Sequence, residues 1–317
     1  MKTNKTIFKS IIAVAFAVFI IAGCKKEEEA PVVPTVTSAE NASQTTRASD
    51  QSNTENESNQ AMDEANSAMG EVSTTRSVQS CGMTIDSTYK ASGKLILNYD
   101  GTSCSGKIRT GSITIQLPFS NGIITTWSTI GATATLTFNN YKVTYVSNNK
   151  SLTFNGTHSV TNVNGGGWIQ LYFGTPIVHK VRADMQLTFD DGTTRTWKAA
   201  EKRTLSYNNV TEVLKASTIG DTILSGHANV AFWGVNRIGE NFIIDMPTAF
   251  SYDINNPITN CIYKPLTGVI VHYGVAHSLT LTYGVDASGY ATTSCPFGYK
   301  FSWTDGNGAN QQIILPY

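Results

Sequence analysis

Charge is scarce in this chain. Of its 317 residues, 15% are Asp, Glu, Lys or Arg, and 23 bases balance 23 acids. A nucleic-acid partner needs a strongly basic patch, and this balance supplies none. Long apolar runs are missing too. The longest, Ile11 to Ile21, falls well short of the roughly 20 residues a helix needs to cross a bilayer. No Cys-x-x-Cys pair or Cys/His spacing of the structural-zinc kind occurs. His-Glu-x-x-His, Gly-x-Ser-x-Gly and phosphate-loop patterns are also absent, which removes the sequence signatures of zinc peptidases, α/β hydrolases and nucleotide hydrolases. After Cys81 no stretch keeps a long helical period, so a helical bundle is excluded.

What stands at the start of the chain is a secretory pattern. Lys2, Lys5 and Lys9 form a basic segment, Ile11 to Ile21 an apolar one, and Ala22-Gly23 the small residues before Cys24. Residues 1–23 therefore read as a signal peptide; the competing reading, a spanning helix with a chance cysteine, fails on length. Ile21-Ala22-Gly23-Cys24 resembles the lipobox of bacterial lipoproteins, which implies cleavage before Cys24 and lipid attachment to it. The following Cys24-Lys25-Lys26-Glu27-Glu28 is similar to the lipoprotein export signal of Bacteroidota. That resemblance implies a place on the outer face of the outer membrane, with the membrane as a partner through the acyl chains on Cys24. Each buried methylene contributes about 0.8 kcal/mol, so two or three chains anchor permanently where one binds reversibly.

Removing residues 1–23 takes away three lysines and leaves 20 bases against 23 acids. The excess of acid lies early: residues 25–80 carry ten acids and four bases. Residues 24–77 read as a lipidated tether. The stretch 25–60 is polar, nearly free of aromatics, and has too little apolar surface to offset the entropy of ordering. As a flexible coil, its roughly 35 residues span on the order of 30–35 Å. Between Asn59 and Val72, residues Met62, Ala65, Met69 and Val72 recur at helical spacing and suggest a short amphipathic helix.

Four cysteines remain once Cys24 is lipidated: Cys81, Cys104, Cys261 and Cys295. An even number in an exported protein favours disulfides over free thiols or metal. Three pairings are possible. Locality favours Cys81–Cys104 with Cys261–Cys295, each stabilising by roughly 3–4 kcal/mol in the chain-entropy model.

From Cys81 the texture is that of strands. Ile113 to Leu117, Ala132 to Phe138, Ala183 to Phe189 and Leu279 to Tyr283 alternate apolar residues with polar ones, often threonine. Such alternation marks half-buried strands, one face on a core and one in water. Asn121-Gly122, Asn155-Gly156, Asp191-Gly192 and Asp305-Gly306 read as hairpin turns. The fold class is all-β, mainly antiparallel, as one extended sheet or as sandwiches, with roughly 14–18 strands of ordinary length. Residues 78–317 form the β-rich domain, long enough for one large or two small cores. A faint echo between Leu95–Cys104 and Leu279–Cys295 suggests related halves, 78–163 and 220–317, joined by residues 164–220.

This texture resembles a group of uncharacterised Bacteroidota surface lipoproteins. The shared features are the tether, a short helix, Cys81-x-x-Thr84-Ile85, a strand ending near Cys104-Ser105-Gly106, and a hairpin like Phe189 to Trp197. The resemblance implies a β-rich fold and carries no activity.

The residues themselves point to little chemistry. His272 and His277 are five apart and would face opposite sides of a strand, which argues against a shared metal. A glycoside hydrolase would need two acids from Asp184, Asp190, Asp191, Glu201, Glu212, Glu240 and Asp245, and nothing selects a pair. Asp190 and Asp191 read as turn residues, and Glu201 as an acid paired with neighbouring bases on a solvated strand face. Asp305-Gly306-Asn307-Gly308 lacks the spaced acids of a calcium loop. The five tryptophans read first as sheet packing; Trp168, after three glycines, is the ligand-binding candidate. The expectation is a non-catalytic surface lipoprotein with an interaction, adhesion or structural role and no cofactor. The alternatives are glycan capture, with exposed aromatics as the platform, and a hydrolase with an unrecognised acid pair. The partner in the first case is a glycan or a cell-surface protein.

Overall fold

The computed structural model describes residues 50–316 apart from 52, 55, 56, 59, 63, 66, 67, 69–80, 121, 256–263, 275–277, 293 and 305–307, and apart from the side chains of 120, 168, 254, 255 and 315. The signal peptide, Cys24, Cys261, His277 and the Asp305 to Asn307 turn lie outside the described residues. Among the described residues no helix is long and apolar enough to cross a membrane.

Among the described residues seventeen strands follow one another: β1 (Met83–Asp86), β2 (Lys94–Cys104), β3 (Lys107–Gln116), β4 (Phe119–Ser120), β5 (Ile123–Ile124), β6 (Ala132–Tyr145), β7 (Ser151–Asn162), β8 (Ile177–Phe189), β9 (Thr194–Asn208), β10 (Val213–Gly220), β11 (Thr222–Leu224), β12 (His227–Val235), β13 (Asn241–Asn255), β14 (Pro265–Tyr273), β15 (Leu279–Val285), β16 (Gly298–Thr304) and β17 (Asn310–Pro316). Fifteen of them form one antiparallel sheet: thirteen in the order β1-β2-β3-β6-β7-β8-β9-β10-β13-β14-β15-β16-β17, with β12 beside β9 and β13, and β11 beside β12; β4 pairs with β5 alone. The fold is all-β, and it is one extended sheet. Strands β8, β9 and β10, from the segment expected to join two halves, occupy its middle.

The near-meander order follows from short turns. Ser105-Gly106, between β2 and β3, takes positive φ at both residues (51° and 77°), the conformation that matches the twist of a two-residue hairpin. Asp191-Gly192 turns β8 into β9 as its sequence suggests. Asn155-Gly156 does not turn the chain. It lies inside β7, where a Cβ on Gly156 would sit 2.2 Å from the Asp184 carbonyl oxygen and where the β6–β7 register shifts. Here glycine permits close backbone approach at a bulge.

Alternation then assigns the faces. On β6, Ala132, Ala134, Leu136 and Phe138 are buried while Thr133, Thr135 and Thr137 are half-buried. The buried set belongs to the inner face, which carries a helix. Helical residues occur between positions 50 and 68, earlier than the sequence suggested, and Met69 and Val72 lie outside the described residues. Asp50, Thr54, Glu57, Ser58, Ala61, Ala65 and Ala68 are buried at helical spacing. The start of this helix falls in the stretch expected to be tether. Its buried face is polar at one end and apolar at the other, so sequence hydrophobicity misses the first half. Ala61, Met62, Ala65 and Ala68 join a core with residues of β1 to β3, β6 to β9, β12 and β13.

The polar half is matched group by group. Asp50 pairs with Arg237, Gln51 with Arg195, Ser58 with His158 at 2.9 Å, and Glu64 with the Tyr99 hydroxyl at 2.6 Å. Glu57 meets Lys107 at 2.6 Å and the Tyr145 hydroxyl at 3.0 Å. Burial of these groups is tolerable because each finds a charged or hydroxyl partner. A separate cluster on β15 and β16 contains Leu279, Tyr299 and Phe301, with Leu281, Tyr283 and Trp303 against it.

Cys81 and Cys104 form a disulfide that ties the lead-in of β1 to the end of β2. Cys295 is disulfide-bonded as well.

One strand position is shared. β9 pairs with β10 from Asn208 to Glu201 and with β12 from Ala199 to Thr196, and β10 and β12 run in the same direction. The amide of Asp221 still bonds to Ala200, and Phe232 sits opposite Ala199, so the ladder continues across a gap of residues 222–231. Those residues form a hairpin finger, with Thr222 opposite Val230 and positive φ at Ser225 and Gly226 at its tip. At its base a Cβ on Gly220 would fall 1.8 Å from the Asn229 carbonyl oxygen, so only glycine lets the chain leave and return at one point.

Candidate functional site

The inner face of β7, β8 and β9 changes character beyond the helix. The register aligns His158 with Ala183 and Ala199, Val160 with Val181 and Glu201, and Asn162 with His179 and Arg203. Polar residues thus occupy positions that alternation assigns to the buried side. Glu201 is one of them: it is 5% exposed and pairs with Arg203 at 2.7 Å. The expected pairing with a base holds, but the solvated face does not, because Glu201 shares its side of β9 with the buried Trp197 and Ala199.

On His158, His179 and Asn162 of these rows, three buried atoms have no hydrogen-bond partner among the described residues: Nε2 of His158, Nε2 of His179 and Oδ1 of Asn162. The other ring nitrogen of His158 faces the Ser58 hydroxyl. Burial, then the Arg203 charge, draws the His158 pKa down to about 3 and lowers that of His179. Both rings are therefore neutral at ordinary pH, each with one donor and one acceptor nitrogen. Asn162, fully buried, donates from Nδ2 to the carbonyls of Trp127 (3.0 Å) and Gly166 (3.1 Å). Its Oδ1 remains an acceptor awaiting a donor.

Asn162 thereby clips two loops over this part of the sheet. One, between β3 and β6, brings the Trp127 ring edge-on to His179 at 5.5 Å. The other, between β7 and β8, contains the short helix Trp168–Tyr172, flanked by Gly165, Gly166 and Gly174 at φ of 68°, 84° and 82°. The loops touch where the Gly166 amide donates to the Ser128 carbonyl. Ile130, Ile169, Tyr172 and Phe173 are exposed around this rim, and Trp127 is 37% exposed. Tyr172 stacks on Tyr207 of β9 at 6.0 Å. An aromatic and aliphatic rim above buried, unmatched polar groups is the general make-up of a small-ligand site.

Trp168 opens the short helix, so its backbone belongs to this rim; its side chain lies outside the described residues. The acids considered for a hydrolase are held on different elements. Asp184 pairs with Lys198, Asp191 accepts from Thr193 in its turn, Glu240 accepts from Asn236, and Asp245 faces His227 at 3.4 Å. The last pair forms a second cluster at the finger, with the Tyr273 ring 4.1 Å from His227 and the Asp245 carboxyl raised by burial. His272 stacks on Phe242 at 5.8 Å. Trp197 packs against Phe232 at 5.4 Å, the cross-strand role expected of it.

The outer face is a field of hydroxyls. Thr114, Thr137 and Thr157 form one row across β3, β6 and β7, and Thr133 bonds to Thr161 at 2.8 Å in another.

His158, Asn162 and His179 were passed over in the sequence because no motif joins them. The signal that could have found them is alternation itself: Thr157-His158-Ser159-Val160-Thr161-Asn162 places His and Asn on the apolar phase. The chain matches no protein-family model, no curated protein and no solved structure, so the site is read from its own chemistry.

Proposed function

We propose that the chain is a lipid-anchored protein of the outer-membrane surface, acting by interaction with a partner outside the cell and not by catalysis. One observation supports the reading: Asp50, the described residue nearest to Cys24 in the chain, sits at the end of the sheet opposite the candidate site. Asp50 pairs with Arg237, whose guanidinium also reaches Asp191 in the turn after β8. His179 and the two rim loops lie at the other end of that 13-residue strand. At about 3.3 Å per residue the two ends are roughly 40 Å apart. A chain that reaches the domain at Asp50 enters at the end far from the aromatic rim, which supports a reading in which that rim faces partners. The threonine rows of the outer face add a second broad surface suited to contact.

Protease treatment of intact cells, followed by mass spectrometry of released peptides, tests the proposal. Release of peptides from residues 81–316 with the Cys24 lipopeptide retained is the expected result. Protection of the domain until the cells are lysed would overturn outward display.

A further inference from the structure

We propose that the loop between β7 and β8 is a hinged lid over a binding site for an uncharged saccharide. The inference rests on the interaction reading above and names its ligand class.

The ligand class follows from what the buried atoms require. Asn162 Oδ1 accepts only, so its partner must donate. Nε2 of each neutral imidazole takes a donor or an acceptor according to tautomer. A carboxylate or phosphate offers acceptors alone and leaves Asn162 unmatched beside the Glu201 carboxylate. A cation meets the Arg203 guanidinium in the same row as Asn162 and His179. Glu201 and Arg203 neutralise one another at 2.7 Å, so the floor presents no net charge. Hydroxyl groups donate and accept at once, and a molecule dense in them satisfies both Asn162 Oδ1 and His179 Nε2. Trp127, with Ile130, Ile169, Tyr172 and Phe173 around it, supplies the apolar surface that the C–H faces of sugar rings pack against.

Asn162 and His179 are cross-strand neighbours under the two loops, whereas His158 lies four residues along β7, roughly 13 Å away at strand rise and against Ser58 of the N-terminal helix, so it is no part of the floor beneath the lid.

Asn162 Oδ1 and His179 Nε2 are shut off from solvent beneath the loops, so a ligand needs that cover to move. The short helix is bounded by Gly165 and Gly166 on one side and Gly174 on the other, all at positive φ. Outside those glycines the loop is fixed: Asn164 donates to the Pro176 carbonyl and accepts from the Val178 amide. The moving part is then the segment between them, held down by the Gly166 to Ser128 and Asn162 to Gly166 bonds.

The test uses the purified full-length lipoprotein in detergent micelles. Neutral gluco-, xylo- and manno-oligosaccharides of three to six units are titrated by calorimetry and by tryptophan fluorescence, beside oligogalacturonates as charged probes. Saturable binding of a neutral series, weakened at least tenfold in Trp127→Ala and in Asn162→Ala, is the expected outcome. Cooperative thermal unfolding is the folding control, and the partly exposed Trp127 keeps the test open if Asn162→Ala misfolds. Binding confined to the charged oligomers, binding untouched by Trp127→Ala, or no binding of any neutral sugar overturns the inference. Surface display is measured on cells and sugar binding on purified protein, so either proposal can fail alone.

Discussion

The carboxylate of Glu57 and the ammonium of Lys107 meet at 2.6 Å, the first fully buried in the N-terminal helix and the second a quarter exposed at the start of β3. The Tyr145 hydroxyl adds a bond at 3.0 Å, and the Arg109 guanidinium stands 3.8 Å from the other oxygen. A polar helix is thus seated on a sheet by a charge it could not bury alone.

Glu57→Ala leaves Lys107 and the largely buried Arg109 without their anion. Removing one member of a buried pair costs about 3–5 kcal/mol, and the partial exposure of Lys107 places this case near about 3 kcal/mol. Urea unfolding should show the loss as a lower midpoint at unchanged slope. A midpoint within experimental error of the parent would mean that the helix is held by its alanines alone.

Acid should destabilise the protein through its inner-face histidines. In the folded state the His158 pKa is about 3 and that of His179 is also lowered, by burial first and Arg203 second. Unfolded histidines take up protons near 6.5. The unfolded state therefore binds more protons as pH falls below about 6.5, and stability drops toward pH 3 by about 1.4 kcal/mol per unit for each fully displaced proton. Above about pH 7 this contribution is flat. His158→Gln should make the decline between pH 6 and pH 4 shallower; urea midpoints across that range would show an identical slope if His158 were protonated in the folded protein.

The Cys81–Cys104 bridge closes a loop with a sequence separation of 23. Replacing both residues with serine should cost about 3 kcal/mol by loop entropy. A non-reduced peptide map should also join Cys295 to Cys261, and a map with Cys295 joined to any other cysteine would refute that pairing.

How much of this was legible in the sequence depends on the kind of signal. Strands such as β6 and β8 were visible because apolar and polar residues alternate cleanly, and one face of each is buried. The Asp191-Gly192 turn was visible because its chemistry is local. The first half of the helix was not, since Asp50, Thr54, Glu57 and Ser58 are buried against partners up to 187 positions away in the chain. Asn155-Gly156 misled for the opposite reason: the dipeptide suits a turn, but the backbone of Asp184 beside it decided the matter. The candidate site shares the helix's difficulty. His158, Asn162 and His179 become a group only once β7 and β8 are in register.

The finger of residues 222–231 bears on how the sheet tolerates a change in chain length. Because Asp221 and Phe232 occupy successive rungs against Ala200 and Ala199, a chain spliced directly between them would keep every later strand in phase. The segment is thus removable in principle without shifting the ladder. Of the His227, Asp245 and Tyr273 cluster only His227 belongs to the finger, so shortening the finger would remove one member of that cluster and leave the ladder beneath it intact.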